Sequence, residues 1–168
     1  LREALSAKFL KDNNLNYAAN QICVTAGAKM ACFNAILAVV EEGDEVIIPT
    51  PYWVSYPEMV RLAGGVPVLV ETKESTGWKM TPEQFEDAMT PATKMVIINS
   101  PGNPTGAVYT ADELRALAQA ATAGRASVRL LRNNTTGAAT DAAAVPSTFA
   151  YRMPYYQNEL DQYNRIFW

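Results

Sequence analysis

The run Asn99-Ser100-Pro101-Gly102-Asn103-Pro104-Thr105-Gly106 gathers two prolines and two glycines around one amide. Proline restricts the backbone and glycine releases it, so the Asn103 side chain is held rigidly, with donors and an acceptor for a ligand. A second run, Thr25-Ala26-Gly27-Ala28-Lys29, precedes a helical pattern. Free N–H groups and the dipole at a helix start favour an anion there; Gly27 allows close backbone approach and Lys29 adds charge. Taken alone, this run is more commonly a plain strand-to-helix turn. No GxGxxG pattern is present, so a dinucleotide fingerprint is excluded. The third run, Pro49-Thr50-Pro51-Tyr52-Trp53-Val54-Ser55-Tyr56-Pro57, puts Trp53 in a proline-stiffened loop. Its indole can stack on a flat heteroaromatic ring, or serve as an ordinary core or interface aromatic.

Other chemistries are ruled out by residue type. The chain has no histidine, which removes a Ser-His-Asp triad and a Cys-His pair. Its two cysteines, Cys23 and Cys32, have no metal-ligand neighbours, so no zinc site is expected. They read as small buried hydrophobes in a reducing compartment. A net charge of −3 with 18% charged residues offers no basic excess for nucleic acid or an anionic membrane. No apolar run reaches the roughly 20 residues of a membrane span. The N-terminus is mixed in charge, unlike a signal peptide, and begins without methionine in what reads as mid-helix. The chain is therefore expected to be a fragment or a processed piece, cytoplasmic in origin.

The elements that must position these runs follow from periodicity. Residues 2–12 pattern as an amphipathic helix, Gln21 to Thr25 as a short strand, and Lys29 to Glu42 as a helix closed by Gly43-Asp44. Glu45 to Ile48 reads as a strand, Tyr56 to Ala63 as a helix, and Val66 to Val70 as a strand. Thr81-Pro82-Glu83-Gln84 has the composition of a capped helix start. Lys94 to Ile98 is almost wholly apolar, as a strand covered on both faces should be. Thr110 to Glu113 opens the next helix, which runs from Leu114 to Ala121. Strands alternating with helices predict an α/β fold: a mostly parallel sheet in a three-layer αβα arrangement. Ligands in such sheets sit at the carboxyl ends of strands, which points to the loops after Thr25, Ile48 and Ile98.

Beyond about residue 121 the pattern changes. Val128 to Leu131 reads as a further strand carrying arginine, Asn133 to Gly137 as a turn, and Ala138 to Ala144 as a stretch of small residues. Tyr151 to Trp168 shows no period, and no structure is assigned to it.

The ordered set Thr25–Lys29, Gly43–Pro49, Pro51–Pro57 and Asn103–Gly106 closely resembles the class I aminotransferases of pyridoxal-phosphate fold type I, the aspartate aminotransferase family. The Tyr52–Tyr56 loop looks most like the bacterial aspartate/prephenate branch. The resemblance covers about residues 1–121, read as a partial large domain, with 122–168 as a divergent tail. It implies pyridoxal 5'-phosphate as cofactor, with Gly27, Ala28 and Lys29 at its phosphate and Trp53 stacked on its ring and bordering substrate. Asn103 is implied to bond its phenolic oxygen and approach the substrate carboxylate. It further implies transamination between an amino acid such as aspartate and a 2-oxo acid, by a homodimer.

The sequence also departs from the family. Where a strand should deliver an aspartate to the pyridine nitrogen and a tyrosine to the ring oxygen, Val128 to Asn134 offers neither. The family's Schiff-base lysine lies beyond the Asn103 loop, whereas the last lysine here is Lys94. The family's small domain and its substrate-binding arginine have no counterpart. No catalytic residue is therefore assigned, and the chain alone is expected not to transaminate. The alternative is a non-catalytic truncated module acting only in binding or dimerisation.

Overall fold

The computed structural model describes residues 1–123, 129–134 and 151–154, with side chains as far as 121. Helix α1 spans Arg2–Asn13 and ends on Asn14 in the left-handed region. Then follow α2 (Ala28–Leu37), β1 (Glu45–Thr50), α3 (Ser55–Leu62), β2 (Val66–Glu71), α4 (Pro82–Ala88), β3 (Thr93–Ser100) and α5 (Ala111–Ala123). Strands β4 (Arg129–Asn134) and β5 (Tyr151–Pro154) complete a five-stranded sheet in the order β2-β1-β3-β4-β5. Each neighbouring pair is parallel.

Alternation along β1 and β3 builds two cores. Ile47, Val96 and Ile98 face one side, where they meet Phe85 of α4 and Leu114 and Leu117 of α5. Val46, Ile48, Met95 and Ile97 face the other, against Cys32 and Ile36 of α2 and Met59 and Val60 of α3. Successive strand residues point to opposite faces, so both layers of helices draw on the same two strands. This is the expected three-layer αβα arrangement. Each fully buried aliphatic side chain contributes about 1.5–3 kcal/mol relative to exposure, which makes β1 and β3 the rigid spine.

Local chemistry sets several boundaries. Thr81 accepts from the Gln84 N–H at 3.3 Å while the Gln84 side chain accepts from the Thr81 N–H at 3.0 Å. With Pro82 at the first helical position, this is the expected capped start of α4. Thr110 and Glu113 form the same reciprocal pair ahead of α5.

The structure corrects five readings. Gln21 to Thr25 is not a strand: a short 3-10 turn occupies Ala19–Gln21 and no ladder follows it. A strand exists only through a neighbour's N–H and C=O groups, and none of the described strands runs beside this segment. Helix α2 stops at Leu37 rather than Glu42. Its continuation is drawn into a turn in which Asp44 accepts from the Glu41 N–H at 2.9 Å and Gly43 donates to Gly64 at 3.0 Å. Gly65 permits this packing, since a Cβ there would lie 2.5 Å from Val40 Cγ1. Cys23 is exposed, not buried; Cys32 is buried as expected, which raises its thiol to about 11. Asn133 and Asn134 end β4 rather than starting a turn, and Tyr151–Pro154 forms a strand where none was assigned. The remaining expectations for 135–150 and 155–168 lie outside the described residues.

Candidate functional site

Because β1 and β3 are parallel neighbours, the loops that follow them leave from the same rim of the sheet. The loop after β3 is closed by its own backbone. Gly102 donates to the Ala107 carbonyl at 2.8 Å, and Gly106, at φ 72°, donates back to the Gly102 carbonyl at 2.7 Å. The Thr105 hydroxyl accepts from the Ala107 N–H at 3.2 Å. Asn103 stands exposed at the tip of this turn. Beneath it, Ser100 is buried and accepts from the Tyr109 N–H at 3.0 Å. The Thr50–Pro51, Ser100–Pro101 and Asn103–Pro104 bonds are cis.

The loop after β1 turns directly into α3, with the Tyr56 N–H donating to the Trp53 carbonyl at 3.0 Å. Trp53 is half-buried and meets Tyr56 edge-on, at 5.3 Å between ring centroids and 87° between planes. Beside this loop, the Thr72 hydroxyl donates to the Thr50 carbonyl and ties the carboxyl ends of β1 and β2.

The Thr25–Lys29 run opens α2 with Gly27 as N-cap at φ 90°, ψ 162°. Side chains rarely adopt that backbone region, so glycine is required there. The Gly27 N–H donates to the Thr25 carbonyl at 2.9 Å, and the Thr25 hydroxyl donates to the Gly27 carbonyl at 2.8 Å. Lys29 lies in the first helical turn, its Nζ 5.2 Å from the centre of the Trp53 ring. At an exposed site such a cation–π contact contributes about 0.5–1 kcal/mol.

These contacts bring the three runs into one chain of neighbours. Lys29 lies over Trp53, Trp53 abuts Tyr56, and Tyr56 lines a cleft that Asn103 also lines. The cleft floor is formed by Ile48 and Pro49 of β1 with Ile97 and Asn99 of β3, at their carboxyl ends. Gly27, Ala28, Lys29 and Trp53 are not on the cleft wall itself; Trp53 reaches it through Tyr56, and Lys29 stands one contact further back, over Trp53. A second, more open hollow, lined by Leu1, Arg2 and Asn20 to Val24, contains none of the five residues singled out from the sequence.

Two cleft residues went unnoticed in the sequence. Trp78 follows Gly77 and is one of the lining residues. Tyr109 is buried and its hydroxyl accepts from the Met80 N–H at 2.8 Å. Burial pushes the Tyr109 hydroxyl up to about 12, helped by the Glu113 charge and opposed by the Met80 bond. The only sequence signal for Tyr109 was its place shortly after the Asn103 turn. Trp78 gave none. Among the described residues no cluster of three His, Cys, Asp or Glu side chains could hold a metal.

The start of α2 thus meets Trp53 through Lys29, and Trp53 meets the cleft that Asn103 lines through Tyr56. The family model for class I and II aminotransferases matches residues 1–128. The chain belongs to that family. Among aminotransferases of known sequence, it is 56% identical over 119 residues to aspartate aminotransferase of Geobacillus stearothermophilus, covering 71% of this chain and 30% of that protein. It is 55% identical over 119 residues to aspartate/prephenate aminotransferase of Cereibacter sphaeroides, with the same coverage. Among solved aminotransferases, the Thermus thermophilus aspartate aminotransferase with maleate superposes with a TM-score of 0.73 at 48% identity, over 79% of this chain and 34% of that one. Aspartate aminotransferase from Rhizobium meliloti gives 0.81 at 37% identity, over 91% and 40%. The chain therefore spans about a third of the length of these aminotransferases. No helix among its described residues is long and apolar enough to cross a membrane.

Proposed function

We propose that this chain carries the cofactor-holding part of a pyridoxal 5'-phosphate-dependent aminotransferase that exchanges the amino group of an aspartate-like amino acid with a 2-oxo acid. One observation supports this reading above the others: Lys29 lies over Trp53, Trp53 packs on Tyr56, and Tyr56 lines the same strand-end cleft as Asn103. Gly27, Ala28 and Lys29 fit a phosphate. The left-handed N-cap keeps side chains away, and the first turn of the ten-residue α2 directs its N–H groups outward. The Trp53 indole fits the flat ring, and the Asn103 amide fits a phenolic oxygen as hydrogen-bond donor. When bound, the cofactor supplies an aldehyde that captures amino groups and an electron-withdrawing ring that lowers the barrier to proton loss.

In this reading the Gly27–Lys29 turn binds and orients the phosphate, and the Lys29 ammonium neutralises part of its charge. Trp53 fixes the ring plane and borders the substrate, and Asn103 holds the ring oxygen and approaches the substrate carboxylate. A homodimer in the cytoplasm completes the proposal, and two free thiols agree with a reducing compartment.

The chain by itself is proposed not to transaminate. Its six lysines are Lys8, Lys11, Lys29, Lys73, Lys79 and Lys94. Lys79 is paired with Glu113 at 2.5 Å, and Lys94 faces Asp44 near the amino end of β3. Lys29 belongs to the phosphate turn, while Lys8 and Lys11 lie on α1.

Titrating the purified 168-residue chain with pyridoxal 5'-phosphate tests both statements. Saturable binding is expected by equilibrium dialysis, weakened about tenfold by Trp53→Ala or Asn103→Ala, the effect of one lost strong contact. Binding indifferent to both substitutions would overturn the site. A visible-range band fixed by borohydride would overturn the statement that this chain does not transaminate by itself.

A further inference from the structure

Trp78 takes no part in the site as assigned above, yet three observations set it apart. Its backbone is left-handed at φ 58°, a genuine outlier for a bulky aromatic that persists only where the surroundings hold it. Those surroundings are present. Its own N–H donates to the Lys73 carbonyl at 2.9 Å, the next residue pairs with Glu113 of α5, and the Met80 N–H reaches the Tyr109 hydroxyl at 2.8 Å. Three successive residues are thus fastened, two of them to the segment that follows the Asn103 turn. Finally, the indole belongs to neither buried cluster. It stays 42% exposed and lines the cleft together with Gly102, Asn103 and Thr105.

We propose that Trp78 is a positioning residue for the Asn103 turn: its indole lines the cleft together with that turn and sets where the Asn103 amide is held. The idea rests on the cofactor reading above and adds a residue to it. The turn's own hydrogen bonds fix its shape; how it sits against the rest of the cleft is a further constraint. An aromatic wall anchored through Tyr109 and Glu113 supplies that constraint, and small displacements of a contacting group cost much of its effect.

The test uses the full chain, with pyridoxal 5'-phosphate and inorganic phosphate as separate probes. Trp78→Asn and Trp78→Gly both tolerate the left-handed backbone, so the fold is kept by at least one of them. Either should bind pyridoxal 5'-phosphate about fivefold more weakly with phosphate affinity unchanged, and Trp78→Phe should restore most of the loss, because a displaced amide weakens only the ring end. Combined with Asn103→Ala, Trp78→Asn should add nothing further. Unchanged cofactor affinity in both polar and glycine variants, or losses that multiply in the double variant, would overturn the positioning role. A wild-type chain that binds no pyridoxal 5'-phosphate, or an Asn103→Ala variant that binds it normally, would instead overturn the cofactor reading, and the role of Trp78 with it.

Discussion

The loop at 22–29 and the loop at 99–107 carry comparable residue signals but are held in different ways. The second is the direct continuation of β3, whose last apolar residues are almost wholly buried, and it closes with hydrogen bonds between Gly102, Gly106 and Ala107. The first is preceded by a segment with no strand partner among the described residues, and Val24 is 48% exposed. Its order comes from the helix it opens and from Lys29 resting on Trp53. A functional loop is only as well placed as the element behind it. In this chain the amide end of the proposed site has a rigid foundation, and the proposed phosphate end borrows its position from a neighbour.

The strongest way to break that contrast is to cut the foundation under each loop. Ile98 is 1% exposed within the α4–α5 core, whereas Ile22 is buried at the edge of the chain, outside both clusters. Ile98→Ala should cost roughly 2–5 kcal/mol, and Ile22→Ala clearly less, because the cavity penalty needs neighbours that cannot collapse. Paired urea melts give the comparison. Equal losses would show that the first loop is as firmly founded as the second.

The same distinction explains what could be read from residue types. Where structure is local, it was legible: Thr81, Pro82 and Gln84 make their own cap, and Met95 to Ile98 is apolar because both faces are covered. Where structure is relational, it was not. Gln21 to Thr25 has strand composition, but pairing depends on a partner that its own residues do not specify. The end of α2 depends on how closely Gly65 lets Val40 approach, a contact between positions 25 apart in sequence. Asn103 and Trp53 announced themselves through their prolines and glycines. Trp78 could not, since nothing in a tryptophan codes for φ 58° and its strain is imposed by the anchors around it.

A second comparison concerns how the 99–107 loop is tied down at its far end. Tyr109 joins the two flanks of the cleft through its bond from Met80. Tyr109→Phe leaves that buried N–H without its acceptor and should cost about 1–3 kcal/mol at neutral pH. The pH dependence is a sharper sign. The hydroxyl is raised from 10.0 to about 12 in the folded chain, so the unfolded chain ionises first. Its contribution is whole below pH 10 and is lost as pH rises toward 12, by roughly 2–3 kcal/mol in all. Lysines also titrate there, so the quantity to read is the difference between wild type and Tyr109→Phe. That difference should shrink between pH 10 and 12. A constant gap would mean that Tyr109 is not buried as described.

The smallest effect is expected at the link between the first loop and its neighbour. Lys29→Gln removes the ammonium above Trp53 while keeping a long polar side chain, and should change stability by no more than about 1 kcal/mol. Its consequences should be local. Trp53 fluorescence should shift, and amide exchange across Ala26 to Met30 should quicken. Protection at Gly102 and Gly106 should hold, because their acceptors are Ala107 and Gly102 and owe nothing to α2. Faster exchange at Gly102 or Gly106 would show that the two loops are mechanically one unit. The phosphate end would then share the foundation of the amide end, and the asymmetry drawn between them would be lost.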